Sequence, residues 1–193
     1  GNFYMWKYAG LNSDGEWVIY DKNGEYKAGM DATDEDMYVV GNGLPKFTAS
    51  WSNYLKYKNL DLSIYFRGAF GFEIFNIHEF YYGIPGMTSN VMKTAYTKNA
   101  NIKENPLVCD YFIERGDYLK LDMVTIGYTI PLVSKYFDSV RFSLTGKNLF
   151  TLTSFSGVDP STYSTNGLTP GATGSRNYYP TCRQFLAAVQ IAF

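Results

Sequence analysis

The sequence predicts an all-β protein, a segment of an antiparallel transmembrane β-barrel. Alternation of apolar and polar residues with period two recurs along the chain, which is the signature of half-buried strands. No run approaches the roughly 18–20 apolar residues that a membrane helix needs. Aromatic residues make up 18% of the 193 residues and charged residues also 18%, whereas soluble domains average about 25% charged residues. The chain therefore has fewer charged residues than an average soluble domain, and as many aromatic residues as charged ones.

The strands are predicted one by one from this alternation. Residues 1–8 are rich in aromatic side chains and are expected to form a sixth strand of the same sheet, the first in chain order. Five further segments alternate clearly, at residues 47–57, 60–67, 118–130, 140–147 and 185–193. Within residues 118–130 the apolar phase shifts once, from Leu119 and Leu121 to Val124 and Ile126. One extra residue near Met123 would produce this shift, and a β-bulge supplies one.

The connections between these strands alternate in length. Lys58 and Asn59 alone join two strands, as in a two-residue hairpin, and residues 131–139 form another short link. Residues 9–45, 69–117 and 150–183 are long and carry turn signals, such as Asn23-Gly24, rather than predicted strands. Loops beyond about 12–15 residues are uncommon in compact domains, whereas outer-membrane barrels combine short turns with long outer loops.

Several function classes are disfavoured. The 17 basic and 18 acidic residues nearly cancel, so the basic footprint of a nucleic-acid-binding protein is absent. We expect no enzyme and no cofactor, because the single histidine, His78, is expected in a solvated loop without a nucleophile motif. Histidine and cysteine do not cluster as metal ligands. Loop acids offer oxygen ligands for calcium, but a solvated loop face is favoured; they are found at residues 21–25, 31 and 34–36.

Several motifs resemble one family in order along nearly the whole chain. They include Gly43-Leu-Pro-Lys-Phe47, Gly116-Asp-Tyr-Leu-Lys-Leu121 with Gly127-Tyr-Thr-Ile-Pro131, Gly146-Lys-Asn-Leu-Phe-Thr151 with Ser156-Gly-Val-Asp-Pro160, and Tyr179-Pro180 before a last strand ending in Phe193. This pattern resembles the C-terminal part of the SusC/RagA-like TonB-dependent transporters of the Gram-negative outer membrane. The resemblance implies a barrel of about 22 strands around a plug. Residues 1–193 would supply about six C-terminal strands and three long extracellular loops, and neither the plug nor a signal peptide is visible in them.

The resemblance also implies a function and partners. It implies import of a nutrient, an oligosaccharide or a peptide, energised by TonB acting through the plug. A SusD-like surface lipoprotein would cover the extracellular loops, and the rest of the same barrel and outer-membrane lipid would surround the strands. The rival interpretation is a soluble, secreted β-sandwich that binds carbohydrate. That rival predicts that the apolar face of each strand is buried against a second sheet.

Strand parity separates candidate lumen-facing residues from candidate lipid-facing ones. The polar side chains that would contact solute, or else line water or brace the plug, are Asp61, Tyr65, Arg67, Arg141 and Lys147. The side chains that would face lipid are Leu60, Leu62, Ile64, Phe66, Val140, Phe142, Leu144, Val189 and Ile191. Loop aromatics that would stack on sugar rings or on a partner, or else pack within the loops, are Tyr81, Tyr82, Tyr163, Tyr178 and Tyr179.

Two further features concern the C-terminus and the cysteines. The last strand resembles the signal that the outer-membrane insertion machinery reads, and its apolar stripe includes Phe185, Val189, Ile191 and Phe193. Cys109 and Cys182 fall in two long loops that are expected at the same rim. A disulfide between them would persist in an oxidising compartment, and the alternative is two free thiols.

Overall fold

The computed structural model describes residues 1–86, 90–132, 136–163, 167–172 and 179–193. In chain order its strands are β1 (Asn2–Leu11), β2 (Trp17–Tyr20), β3 (Tyr26–Ala28), β4 (Met37–Asn42), β5 (Phe47–Tyr57), β6 (Leu60–Phe70), β7 (Glu73–Phe75), β8 (Ile113–Arg115), β9 (Tyr118–Pro131), β10 (Ser139–Thr153) and β11 (Gln184–Ala192). An α-helix, α1, spans Ile77–Tyr82, and short 3₁₀ turns span Gly29–Asp31, Asp34–Asp36, Lys93–Tyr96, Asp110–Phe112 and Pro160–Thr162.

The chain divides into two compact units. The first, here called the core unit, comprises Gly1–Lys46, Gly71–Asp117 and Ser154–Tyr179. The second, here called the sheet unit, comprises Phe47–Phe70, Tyr118–Thr153 and Pro180–Phe193. Among the described residues, no helix has the length and apolar character that crossing a membrane requires.

The sheet unit is one antiparallel sheet with the strand order β11-β10-β9-β6-β5. The five strands predicted from alternation are therefore confirmed. Lys58 takes a left-handed conformation (φ 52°) in the two-residue turn between β5 and β6. The predicted bulge is also confirmed, since the β6–β9 register shifts between the pairs Tyr65–Met123 and Phe66–Leu121. Asp122 is the extra residue.

The two faces of this sheet differ in chemistry. Every charged residue within its five strands belongs to the face that alternation predicts to be polar. On the opposite face large apolar side chains remain exposed, with Leu144, for example, at 56% exposure. Other exposed members of the apolar face are Phe47, Trp51, Leu60, Ile126, Tyr128, Phe142, Val189 and Ile191; Leu62, Ile64, Phe66 and Val140 are half-buried. This exposure does not favour the β-sandwich interpretation.

The predicted sixth strand exists but in a different sheet. β1 pairs with β2 and β4 in a four-stranded sheet of order β3-β2-β1-β4, so its assignment to the five-stranded sheet was wrong. Phe3 and Met5 of β1 are buried, and Trp6 and Tyr8, of the opposite parity, pack against the core cluster. Because β1 has apolar contacts on both faces, it does not show the two-faced pattern of the sheet unit.

Two of the long connections contain regular structure, contrary to the prediction of turns alone. Residues 9–45 include β2, β3 and β4, and residues 69–117 include β7, α1 and β8. The turn signals themselves hold, because Gly24 has a φ of 83° and Asp21 accepts hydrogen bonds from the backbone N–H groups of Asn23 and Glu25. The missed strands have only three to six residues, too few to establish a period.

The core unit has an ordinary hydrophobic core. Its cluster consists of Trp17, Phe80, Ile84, Ile102, Cys109 and Phe112. Phe112 lies at the centre of the aromatic contacts, with ring centroids 5.9 Å from Trp17 and 5.2 Å from Phe80. Tilted and edge-to-face arrangements at such distances stabilise aromatic pairs beyond the area they bury.

Candidate solute-facing surface

The polar face of the five-stranded sheet is the candidate functional surface. Backbone pairing places Asp61 of β6 opposite Lys56 of β5 and Gly127 of β9. Side chains at paired positions project from the same face, so the register gathers residues distant in sequence. The predicted residues Asp61, Tyr65, Arg67, Arg141 and Lys147 all share this face, as their parity predicts.

Asp61 and Arg141 form an ion pair across the intervening strand β9. The Arg141 guanidinium donates from Nη2 to Asp61 Oδ2 at 2.6 Å and from Nε to Asp61 Oδ1 at 3.1 Å. Arg141 Nη1 also donates to Gln190 Oε1 at 3.3 Å. Such two-pronged contacts combine energy with fixed geometry, and this one links β6, β10 and β11.

The pair passes over Gly127, which leaves the space it needs. A Cβ atom at this position would lie 2.3 Å from Arg141 Nη2 and 2.6 Å from Asp61 Oδ1. Both distances are far below van der Waals contact. Any side chain at residue 127 would therefore displace one partner of the ion pair.

Arg67 makes the second ion pair of this face. Its Nε donates to Asp122 Oδ2 at 2.5 Å, and its Nη1 donates to the Tyr118 hydroxyl at 3.3 Å. Asp122 reaches Arg67 because it is the bulge residue of β9. The bulge thus serves to direct a carboxylate at the arginine, a known use of such irregularities.

Lysines complete the charged surface. Lys120 lies directly opposite Arg67 in the β6–β9 ladder, is only 1% exposed, and donates from Nζ to the Thr181 hydroxyl at 2.5 Å. Lys147 is half-buried and lies opposite Met123 and Gln184. Tyr65, also half-buried, faces Met123 and Ser52 across its two ladders.

Sequence reasoning missed Lys120, Asp122, Tyr118 and Gly127 as parts of this surface. The first two were assigned to the strand, and Gly127 to a family motif, but none was placed beside a predicted site residue. The signal that could have found Asp122 is the phase shift itself, because the residue inserted at a bulge adopts an orientation of its own. Nothing local marks Gly127, since its neighbours come from residues 61 and 141.

The predicted loop aromatics divide by environment. Tyr163 is buried and packs edge-to-face on Phe155 at 5.6 Å, which is the packing alternative given for the loop aromatics. Tyr81 packs against the core cluster at 4.9 Å from Phe80, and Tyr82 is half-buried. Tyr179 is 87% exposed, whereas Tyr178 lies outside the described residues. Among the described candidates, Tyr179 is the one fully available to a ligand.

His78 is in helix α1 and not in the solvated loop that was expected. It is half-buried and lines a pocket of about 440 Å³ together with Tyr82, Asn90, Val91, Met92, Gly157 and Val158. The His78 and Tyr82 ring centroids are 6.4 Å apart. This lining is largely apolar, and the described residues bring no nucleophile and no carboxylate into it.

Three of the loop acids considered for calcium, Asp21, Glu35 and Asp36, bind other groups of the protein. Asp36 accepts hydrogen bonds from Lys27 Nζ at 2.8 Å and from the Thr33 hydroxyl at 2.7 Å, and these contacts hold the pKa of its carboxyl well below the usual value. Glu35 pairs with Lys22 at 2.6 Å, and Asp21 closes the Asn23-Gly24 turn. Within the described residues, no group of three or more potential ligands forms a metal site.

The two cysteines are free thiols in this structure, which is the alternative given for them, and the suggested disulfide stays a prediction. Cys109 belongs to the core cluster and is fully buried, and this burial raises the pKa of its thiol to about 12. Cys182 belongs to the sheet unit and is exposed. A thiol enclosed among Trp17, Phe80 and Phe112 packs as a small apolar residue.

The last strand presents its apolar stripe as expected. Phe185, Val189, Ile191 and Phe193 are all exposed, and β11 pairs with β10 from Lys147–Gln184 to Ser139–Ala192. The Phe193 ring lies 6.5 Å from the Phe137 ring. Its role as an assembly signal remains a prediction.

Comparison with known proteins places this fold. No protein-family model matches the sequence. The TonB-dependent receptor P3 of Formosa agariphila is 28% identical over 184 residues, which is 83% of this chain and 18% of that protein. The TonB-dependent receptor P26 of the same organism is 29% identical over 197 residues, covering 90% of this chain and 19% of that protein. The chain is a homologue of part of a TonB-dependent receptor.

Solved structures support the same fold. The RagAB peptide transporter matches the whole chain with a TM-score of 0.79 at 20% identity, over 23% of the matched chain. The RagAB peptide importer in its open-open state matches with a TM-score of 0.76, over 22% of that chain. The two receptor matches confirm the family resemblance found in the motifs, and the solved structures confirm the fold. The chain spans less than a fifth of the length of the two receptors compared above.

Proposed function

We propose that this chain forms part of the wall and outer loops of a Gram-negative outer-membrane transporter. The transporter imports a nutrient, an oligosaccharide or a peptide, with energy supplied through TonB. In this proposal the five strands belong to the C-terminal part of the barrel. The plug and earlier strands are supplied by other parts of the same receptor, and a SusD-like lipoprotein covers the outer loops.

The observation that carries the proposal is the two-faced sheet. One face holds every strand charge, including the Asp61–Arg141 and Arg67–Asp122 ion pairs, and the other exposes apolar side chains such as Leu144 and Phe142. A wall between lipid and a watery lumen requires this division. Residues of the polar face are therefore the proposed lumen lining.

The test uses the complete receptor that contains this chain. Its gene is deleted, and the strain is grown with oligosaccharides or with peptides as the limiting nutrient. We expect loss of growth on one class, restoration by the intact gene, and the same loss when TonB is inactivated. Recovery of the receptor outside the outer-membrane fraction, or unimpaired growth on every nutrient tested, would contradict the proposal.

The partner is tested on the same receptor. Affinity purification from detergent extracts should recover a surface lipoprotein in constant ratio with the receptor. Tyr179→Ala is the next substitution to examine in this purification. The Tyr179 side chain is exposed, so its removal leaves no cavity in a hydrophobic core. Purification of the receptor alone, under conditions where related pairs stay together, would argue against the lipoprotein.

A further inference from the structure

The polar face of the sheet unit carries a surplus of positive charge. Its strands hold five cations and two carboxylates, namely Lys56, Arg67, Lys120, Arg141 and Lys147 against Asp61 and Asp122. The whole chain has a net charge of −1. The surplus is therefore local to this face and is not a consequence of overall composition.

Both carboxylates already form ion pairs with arginines. Asp61 accepts two hydrogen bonds from Arg141, and Asp122 accepts one from Arg67 at 2.5 Å. Lys120 donates to the neutral hydroxyl of Thr181. In the described part of the chain, no carboxylate forms an ion pair with Lys147.

Three of these cations surround the bulge, and they are here called the cationic cluster: Arg67, Lys120 and Lys147. Arg67 and Lys120 occupy directly opposite ladder positions, where like charges destabilise a sheet. Lys147 lies opposite Met123, the residue after Asp122. Burial of the Lys120 side chain adds a desolvation cost, and among the described residues Asp122 is the carboxylate that forms an ion pair within the cluster.

We propose that the cationic cluster binds a carboxylate group of an acidic oligomeric solute. This inference rests on the proposed function, since it makes the polar face the lumen lining. Lys147 contacts the solute carboxylate, because its side chain is partly exposed and has no described ion-pair partner. Arg67 and the buried Lys120 supply positive potential, which raises the local concentration of anions.

The experiment measures binding to the purified, complete receptor. The probes are tetragalacturonate and its neutral counterpart maltotetraose, with tetraglutamate and tetraalanine as the peptide pair. We expect at least one acidic probe to bind about tenfold more tightly than its neutral counterpart at about 50 mM NaCl. The preference should shrink at about 300 mM NaCl because salt screens the cluster. The probe pair that shows the preference for its acidic member reveals whether the solute carboxylate belongs to a sugar or to a peptide.

Variants assign the effect to Lys147. Lys147→Gln should weaken binding of the acidic probe about tenfold and leave the neutral probe unchanged, and Lys147→Arg should restore most of the affinity. Lys58→Gln removes the same charge from the β5–β6 turn and should change nothing. Lys56 is exposed on the same face, and Lys56→Gln should give a smaller loss of affinity for the acidic probe. This variant replaces Lys147→Gln in the test if Lys147→Gln does not fold.

Equal binding of acidic and neutral probes, or absence of acidic binding, would overturn the inference. So would equal effects of Lys147→Gln and Lys58→Gln. Failure of the proposed function has a different signature, because the receptor would then be missing from the outer membrane or would import no nutrient. Import of neutral solutes only would leave the proposed function intact and remove this inference alone.

Discussion

The two units of this chain place the same residue types in opposite environments. In the core unit Trp17 is 2% exposed and packs in an aromatic cluster, whereas in the sheet unit Trp51 is 53% exposed on the apolar face. Among the described residues, buried hydrophobic side chains lie mostly in the core unit; Ala69, Tyr118 and Leu121 are those of the sheet unit. The core unit thus buries its apolar surface internally, and the sheet unit leaves its apolar surface for an external partner, which we propose is lipid.

The largest effect expected from this comparison concerns the two tryptophans. Trp17→Ala should destabilise the core unit by about 3–5 kcal/mol, because it removes a buried aromatic side chain and leaves a cavity. Trp51→Ala should cost much less, because half of its surface lacks protein contacts. Hydrogen exchange of peptides from each unit, followed through a urea titration of the complete receptor, measures both. Equal losses for the two variants would refute the distinction between the units.

The next effect concerns the two faces of one strand. Leu144→Arg places a charge on the apolar face and should cost about 2–4 kcal/mol if residue 144 lies near the membrane midplane. Thr145→Arg, on the polar face, should cost at most about 1 kcal/mol, from loss of the 2.8 Å contact between the Thr145 and Thr125 hydroxyls. The yield of receptor with heat-modifiable mobility in the outer membrane reports the difference. A neutral Leu144→Arg would mean that this face is bathed in water.

Sequence patterning located all five strands of the sheet unit because the same alternation recurs in each of them, although it missed the continuation of β10 to Thr153 beyond the register shift between Lys147 and Phe150. Leu60, Leu62 and Ile64 alternate with polar residues, since the sheet has one apolar face and one polar face. Even the bulge at Asp122 was visible as a phase shift. The polar-face parity of Asp61, Arg67 and Arg141 follows from the same rule.

Patterning failed for the core unit because its strands obey no single rule. Met5 and Trp6 are adjacent in sequence and so lie on opposite faces of β1, but both have apolar surroundings. Met5 is buried, and Trp6 packs against the core cluster. One partner of β1 is β4, in which Tyr38 lies opposite Met5, and alternation carries no information about such distant partners. The sequence left two alternatives open for Tyr163 for the same reason, since an aromatic residue in a long connection shows no pattern that separates a packed side chain from an exposed one.

A smaller effect is expected at Gly127, whose role depends on register rather than on local pattern. Gly127→Ala should cost about 1–3 kcal/mol, because its Cβ overlaps the Asp61–Arg141 pair and forces a side chain to move. The same substitution made together with Asp61→Ala and Arg141→Ala should cost much less, because the side-chain atoms that the new Cβ would overlap are already gone. Urea unfolding of the complete receptor in lipid measures this cycle. Strict additivity would show that Gly127 serves some other purpose.

Maleimide labelling of the two thiols should have the smallest effect on stability, and it should differ clearly between the two units. At pH 8 a thiol with a pKa of about 12 is ionised in about one molecule in ten thousand, and Cys109 is also enclosed. A maleimide should therefore label exposed Cys182 in the folded receptor, without changing the urea midpoint, and label Cys109 only after unfolding. Mass spectrometry of peptides around each residue, without any reductant, separates the two events. Labelling of neither thiol until a reductant is added would mean that they are bridged, and rapid labelling of Cys109 in the folded receptor would mean that the core around Trp17 opens readily.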